Sequence, residues 1–161
     1  MIDKREVLTL LRAKLDADLR SFTKSHGAAQ AGATHEETRQ EDPKDTRAIE
    51  ATYLARGLAE QVESMREVAA VFSRLKVLDF GPDDPIAVTA LVGLEHESGE
   101  ESVYFLVPSA GGETLELGGT TIRTLTPGSP LGSVLIGRHI DDDVALKLPG
   151  KRLTARIAWT R

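Results

Sequence analysis

Apolar residues recur along this chain with two different periods, and the change falls near Leu75. Before it, Leu8, Leu11, Leu15, Leu19 and Phe22 are spaced by three and four, as one face of a helix requires. Ile49, Tyr53, Leu58, Val62, Met65, Ala69, Phe72 and Leu75 form a second stripe of similar kind. Both stripes are narrow and flanked by charge. That pattern predicts two helices packed on each other as an antiparallel coiled-coil hairpin over residues 1–75, whereas a helical bundle would need wider apolar faces.

The run HGAAQAGATHEETRQEDPKD separates the stripes and reads as the turn, because glycines and polar residues interrupt the pattern. Asp42 and Pro43 suit the N-cap and first position of the second helix, with Asp45 in its first turn, where the helix dipole favours a carboxylate.

After Leu75 the period shortens. Ile86 to Leu94, Val103 to Val107, Glu113 to Leu117, Thr120 to Leu125, Val144 to Leu148 and Leu153 to Trp159 are short segments rich in apolar or β-branched residues. GPDDP, ESGEES, SAGGE, LGG and PGK separate them as turn signals. Most connections are too short for crossover helices, so a mainly antiparallel sheet is predicted over 76–161. One helix interrupts it: Ser129 can cap, Pro130 suits the first helical position, Leu131, Val134 and Leu135 share a face, and Gly137 can end it. A helical hairpin followed by such a sheet makes the fold class α+β.

Composition narrows the function. With 161 residues the chain can form one domain or two small ones, and with no cysteine it has no disulfide, thiolate metal site or cysteine nucleophile. No apolar run approaches the roughly 18 residues that span a bilayer, and MIDKREVLTLLRAKLD is charged where a signal peptide is apolar, which predicts a soluble cytoplasmic protein. A net charge of -5 and an aromatic content of 4% argue against direct DNA binding and base stacking.

Chemistry-bearing residues concentrate in the turn between the helices. Glu36, Glu37, Glu41, Asp42 and Asp45 cluster there, offset by Arg39, Lys44 and Arg47. By its local sequence such a cluster is first a solvated, helix-capping turn, and it would also suit a hard cation such as magnesium. His35-Glu36 fails as a zinc motif, since Arg39 stands where the second histidine belongs, and no other histidine has ligand spacing. GGETLELGG lacks the Lys-Ser/Thr of a phosphate loop, and Ser129 and Ser133 lack a nucleophile-elbow setting. Asp141, Asp142 and Asp143 are consecutive on a turn and diverge in direction, as a solvated turn would.

The segment TPGSPLGSVLIGRHIDDDVALKLPGKRLTARIAW resembles the C-terminal domain of the Gre-type (GreA/GreB family) bacterial transcription elongation factors. Ser129-Pro130-Leu131-Gly132, Leu135-Ile136-Gly137, Asp142-Asp143-Val144 and Pro149-Gly150 follow one another as the corresponding elements do in that family. Asp141 stands where the family commonly has Gly. The family's N-terminal coiled-coil hairpin is the architecture already read over residues 1–75, so the resemblance covers nearly the whole chain.

The resemblance implies an FKBP-like sheet domain that docks on bacterial RNA polymerase at its secondary channel, and a coiled coil that reaches inward. The implied docking residues are Ser129, Pro130, Leu131, Gly132 and the turn after Gly137, although the same residue types would serve folding alone. It further implies a monomeric accessory factor with no permanently bound cofactor, rather than an enzyme in its own right. Tip carboxylates, here Glu41, Asp42 and Asp45, would share the polymerase's Mg2+ and stimulate cleavage of backtracked RNA, met only within the polymerase complex.

The tip departs from the family pattern Asp-Leu-x-Glu-Asn-Ala-Glu-Tyr. Placing Ala51 and Tyr53 on the family's Ala and Tyr without a gap puts Thr46 and Ile49 at the carboxylate positions. A factor that occupies the channel and modulates or inhibits transcription without stimulating cleavage is therefore an equal alternative. Prolyl isomerisation by the FKBP-like domain is a further class. It would need an aromatic cleft, and only Phe80, Tyr104, Phe105 and Trp159 are available, with Tyr104 and Phe105 on opposite strand faces.

Overall fold

The computed structural model describes residues 2–36, 46–148 and 151–161, without the side chains of 28–36, 46–48, 51, 146–148 and 151–153. The chain divides into two compact units, one of residues 12–74 and one that joins residues 1–11 to 75–161.

The first unit is a helical hairpin of α1 (Lys4–Glu36) from Arg12 onward and α2 (Thr46–Arg74), the first turns of α1 belonging to the second unit. The helices run antiparallel: Arg12 Nε of α1 donates to the Phe72 carbonyl near the end of α2 at 2.8 Å, and its guanidinium reaches the Ser73 carbonyl at 3.4 Å. These bonds satisfy carbonyls in the last turn of α2, where no later intrahelical N–H is present to donate to them.

On α2 Ala55, Leu58, Val62, Met65, Ala69 and Phe72 are at least partly buried, as is Val68 beside them. Without Val68 the steps alternate three and four, the spacing of a coiled-coil seam. On α1, Leu15, Leu19 and Phe22 of the expected stripe are likewise partly buried, while Leu8 and Leu11, which belong to the second unit, are buried. Phe22 also packs on the ring of His26 one turn later, with centroids 4.0 Å apart.

Two expectations for this unit are corrected. The turn was expected from His26, yet α1 continues as helix to Glu36. Ala28, Ala29, Ala31 and Ala33 are the strongest helix formers, and they outweigh Gly27 and Gly32, each of which costs about 1 kcal/mol relative to Ala without breaking a helix. The α2 stripe was expected to include Ile49 and Tyr53, which are instead 52% and 70% exposed. The step from Tyr53 to Leu58 is five residues, which rotates the side chain about 140° off the face, so the seam continues through Ala55. The capping roles read for Asp42 and Pro43 lie outside the described residues.

The second unit is built on a six-stranded sheet: β1 (Leu91–His96), β2 (Glu101–Leu106), β3 (Thr114–Leu117), β4 (Thr120–Leu125), β5 (Asp143–Leu148) and β6 (Lys151–Thr160), in spatial order β3-β4-β2-β1-β6-β5. All neighbouring pairs are antiparallel except β2 with β4, which align parallel from Val103↔Ile122 to Leu106↔Leu125. The mainly antiparallel expectation agrees. The parallel pair arises because β3 takes the edge and turns back at Gly118 and Gly119, both at positive φ, so that β4 reaches β2 in the same direction.

The first strand was expected from Ile86 but begins at Leu91. A turn intervenes, closed by Ala90 N–H donating to the Ala87 carbonyl at 3.0 Å, with Thr89 at φ 75°. A β-branched residue is rare in that conformation. Here Thr89 N–H donates to the Leu106 carbonyl at 2.8 Å and its hydroxyl accepts from Leu78 N–H at 3.0 Å, bonds that hold the buried residue in place.

Val92, Leu94, Tyr104, Leu106, Val144, Ala155 and Ile157 form one apolar core with Ile86, Ala90 and Leu135. The residues facing the other way, Leu91, Val103, Phe105 and Ile122, are buried as well. Burial on both faces explains why LVGL and VYFLV read as continuous apolar runs without alternation. A bulge between Gly93 and Leu94 shifts the register, and Trp159 lies across Gly93 so closely that an added Cβ would fall 2.3 Å from the indole.

Lys4 is an unusual member of this unit, only 8% exposed. Its ammonium donates to the Leu78 carbonyl and lies 4.6 Å from the centroid of the Phe80 ring. Burial pushes its pKa below the ordinary 10.5, and the nearby Asp79 carboxylate offsets this only in part.

Candidate functional site

The short helix α3 (Pro130–Leu135) is held by a compact set of bonds. The Ser129 hydroxyl accepts from Gly132 N–H at 3.1 Å and donates to the Thr126 carbonyl at 2.8 Å, while Pro130 occupies the first turn, where no intrahelical donor is needed. Gly132 is buried, and a Cβ there would sit 2.0 Å from the Thr126 carbonyl oxygen. Leu135 is fully buried, and Leu131 and Val134 pack against the same core. Gly137, at φ 78°, ends the segment, its N–H donating to the Ile86 carbonyl at 2.8 Å.

The four expected docking residues therefore differ in what they offer a partner. Ser129 and Gly132 are consumed by the fold, Leu131 is half-buried, and Pro130 is exposed. Ile136, Arg138 and His139 are exposed just beyond. Ile136 was not singled out from the sequence. The signal was present, since the buried face of Leu131, Val134 and Leu135 leaves Ile136 on the opposite side.

The turn that follows has a defined structure. Asp141 adopts φ 73°, the conformation glycine favours. Its carboxylate accepts from Arg156 at 2.5 Å, whereas Asp142 accepts from His139 N–H at 3.0 Å. The neighbouring carboxylates thus turn to different partners, as expected for a turn.

Glu41, Asp42 and Asp45 lie outside the described residues. Glu36 ends α1 and Thr46 begins the described part of α2. Along α2, Ile49 and Tyr53 are exposed one turn apart, and Leu54 beside them is 64% exposed. Among the described residues, no three His, Asp or Glu side chains converge to hold a metal ion, and no helix is long and apolar enough to cross a membrane.

No protein-family model and no curated protein matches this chain. Among solved structures, GreA factor homolog 1 (Gfh1) of Thermus thermophilus is similar at 20% identity, with 93% of this chain and 94% of that chain covered and a TM-score of 0.41. Gfh1 of Thermus aquaticus is similar at 20% identity, with 92% of each chain covered and a TM-score of 0.39. The prokaryotic transcription elongation factor GreA/GreB from Nitrosomonas europaea is similar at 24% identity over 60% of this chain and 78% of that chain, with a TM-score of 0.38.

Proposed function

We propose that this chain is a Gre-like transcription elongation factor that binds the secondary channel of bacterial RNA polymerase, with the acidic turn between α1 and α2 directed at the polymerase active site. The observation that carries the reading is the α3 segment. Ser129, Pro130, Gly132 and Gly137, which are among the residues that carry the sequence resemblance, are those that cap, start, pack and end this segment. The residues that carry the resemblance thus have defined structural duties in this chain, which also has a hairpin of heptad spacing.

In this reading Pro130 and Ile136 present the exposed apolar contacts of the docking surface, while Glu41, Asp42 and Asp45 supply carboxylates toward the polymerase's Mg2+. That ion supplies Lewis-acid stabilisation and activated water for phosphodiester hydrolysis. The protein contributes ligands and position; the reacting RNA and the active site belong to the polymerase.

A second reading is favoured by the exposure of Ile49. It occupies the position where the family pattern has a carboxylate, and its apolar side chain is open to solvent. This suits a factor that fills the channel and modulates transcription without stimulating cleavage.

The test uses stalled, backtracked RNA polymerase with end-labelled RNA and magnesium. RNA shortening stimulated by the natural protein, and lost in a Glu41→Ala, Asp42→Ala, Asp45→Ala variant that still binds polymerase, establishes the carboxylate-donating factor. Polymerase binding without cleavage establishes the channel regulator. Absence of polymerase binding refutes both.

A further inference from the structure

A groove of about 230 Å³ opens on the second unit beside β2 and β4, lined by Glu101, Ser102, Val103, Tyr104, Thr121 and Arg123. The parallel register sets Tyr104 directly against Arg123, so the two side chains leave the same face about 4.8 Å apart at their backbones. Ser102 and Thr121 lie two residues earlier on the same strands and therefore on the same face.

The polar atoms of this groove divide into engaged and free. Ser102 Oγ lies 2.8 Å from His96 Nε2, Thr121 Oγ1 donates to Glu116 Oε1 at 2.6 Å, and Glu101 Oε1 accepts from Trp159 Nε1 at 2.8 Å. Tyr104 is only 7% exposed, yet among the described residues nothing hydrogen-bonds its hydroxyl. Likewise Arg123 has no ion pair or hydrogen bond among the described residues. The Tyr104 hydroxyl is not one of the fully buried unpartnered atoms, so it keeps contact with solvent and a ligand would replace water there. Tyr104 and Arg123 thus line one groove from paired positions of β2 and β4.

We infer that this groove binds a singly charged carboxylate, held by the Arg123 guanidinium and the Tyr104 hydroxyl. The guanidinium fork matches a planar carboxylate, and the phenol supplies a further donor to the same group. Glu101 and Glu116 stand close by through their bonds to Trp159 and Thr121, so a doubly charged phosphate meets repulsion that a single negative charge meets less strongly. The carboxylate can come from an acidic side chain of a protein or from a free small acid. The inference is independent of polymerase binding, because it involves neither α3 nor the hairpin.

The experiment is an amide NMR titration of the full chain with acetate, with the capped peptide acetyl-Gly-Glu-Gly-amide, and with inorganic phosphate. The expected result is saturable shifts at Tyr104 and Arg123 with either carboxylate, weaker shifts with phosphate, and an affinity loss of about tenfold in Arg123→Gln, a typical effect of removing a charge-assisted bond. Tyr104→Phe keeps the ring in the core and is expected to weaken binding by a smaller factor. Peptide binding about tenfold tighter than acetate assigns the site to a protein partner, and equal affinities assign it to small acids. Shifts that do not saturate, that survive in Arg123→Gln, or that are as strong with phosphate overturn the inference.

Discussion

Substituting Gly132 by Ala adds one methyl group at the tightest backbone approach in α3. That carbon would stand 2.0 Å from the Thr126 carbonyl oxygen, 2.8 Å from Ser129 Oγ and 2.9 Å from the Thr126 carbonyl carbon. The obstacle is backbone and cannot rotate away. The Thr126 carbonyl also accepts from Ser129 N–H at 3.0 Å and from the Ser129 hydroxyl at 2.8 Å, so moving it disturbs the cap that starts the helix. Overpacking of this kind costs about 1–3 kcal/mol, and loss of a serine N-cap adds about 1 kcal/mol. A total of about 2–4 kcal/mol, at an m-value of about 2 kcal/mol/M, lowers the urea midpoint by about 1–2 M.

The assay is built into the chain, whose single tryptophan, Trp159, sits on β6 of the same unit and reports its unfolding by fluorescence. Gly128→Ala is the control, because a Cβ there meets nothing within 4 Å. A midpoint for Gly132→Ala equal to that of the control would refute the steric argument and return Gly132 to the list of docking residues.

Asp141→Val is expected to lower stability by about 1–2 kcal/mol, because a β-branched residue is strained at φ 73°, while Asp141→Gly stays near the natural protein; thermal melts of both decide it. Lys4 has a folded-state pKa below its unfolded 10.5, so the unfolded chain holds more protons between the two values and the Lys4 contribution to stability rises with pH across that alkaline window. The unfolding free energy of the natural protein relative to Lys4→Met is accordingly expected to increase as pH is raised toward 10.5, and a flat difference in denaturant titrations would contradict it. Thr46→Asp with Ile49→Glu places carboxylates at the gap-free positions of the family pattern. Increased RNA cleavage by backtracked polymerase is expected, and unchanged cleavage would show that the placement is wrong.

The sequence alone determined the division of labour along the chain. Heptad spacing on α1 and from Leu58 to Phe72, and short apolar segments bounded by Gly and Pro afterwards, are local patterns whose physics is the period of the backbone itself. The α3 segment was equally legible, because Ser, Pro and Gly at Ser129, Pro130 and Gly137 each satisfy a local backbone requirement. Local pattern failed where a neighbour distant in sequence decides. Thr89 turns the chain within an apolar run that looks like strand, and it is held there by bonds to Leu78 and Leu106. Ile49 and Tyr53 satisfy helical spacing with each other yet fall off the seam that Ala55 and Leu58 continue.

Tertiary structure alone decided which residues of the recognisable segment remain available to a partner. Gly132 is consumed by the close approach of Thr126, while Pro130 and Ile136 stay exposed, and no spacing rule distinguishes these cases. It alone also brought Tyr104 beside Arg123, since a parallel pairing of β2 with β4 across an intervening edge strand is a property of the assembled sheet.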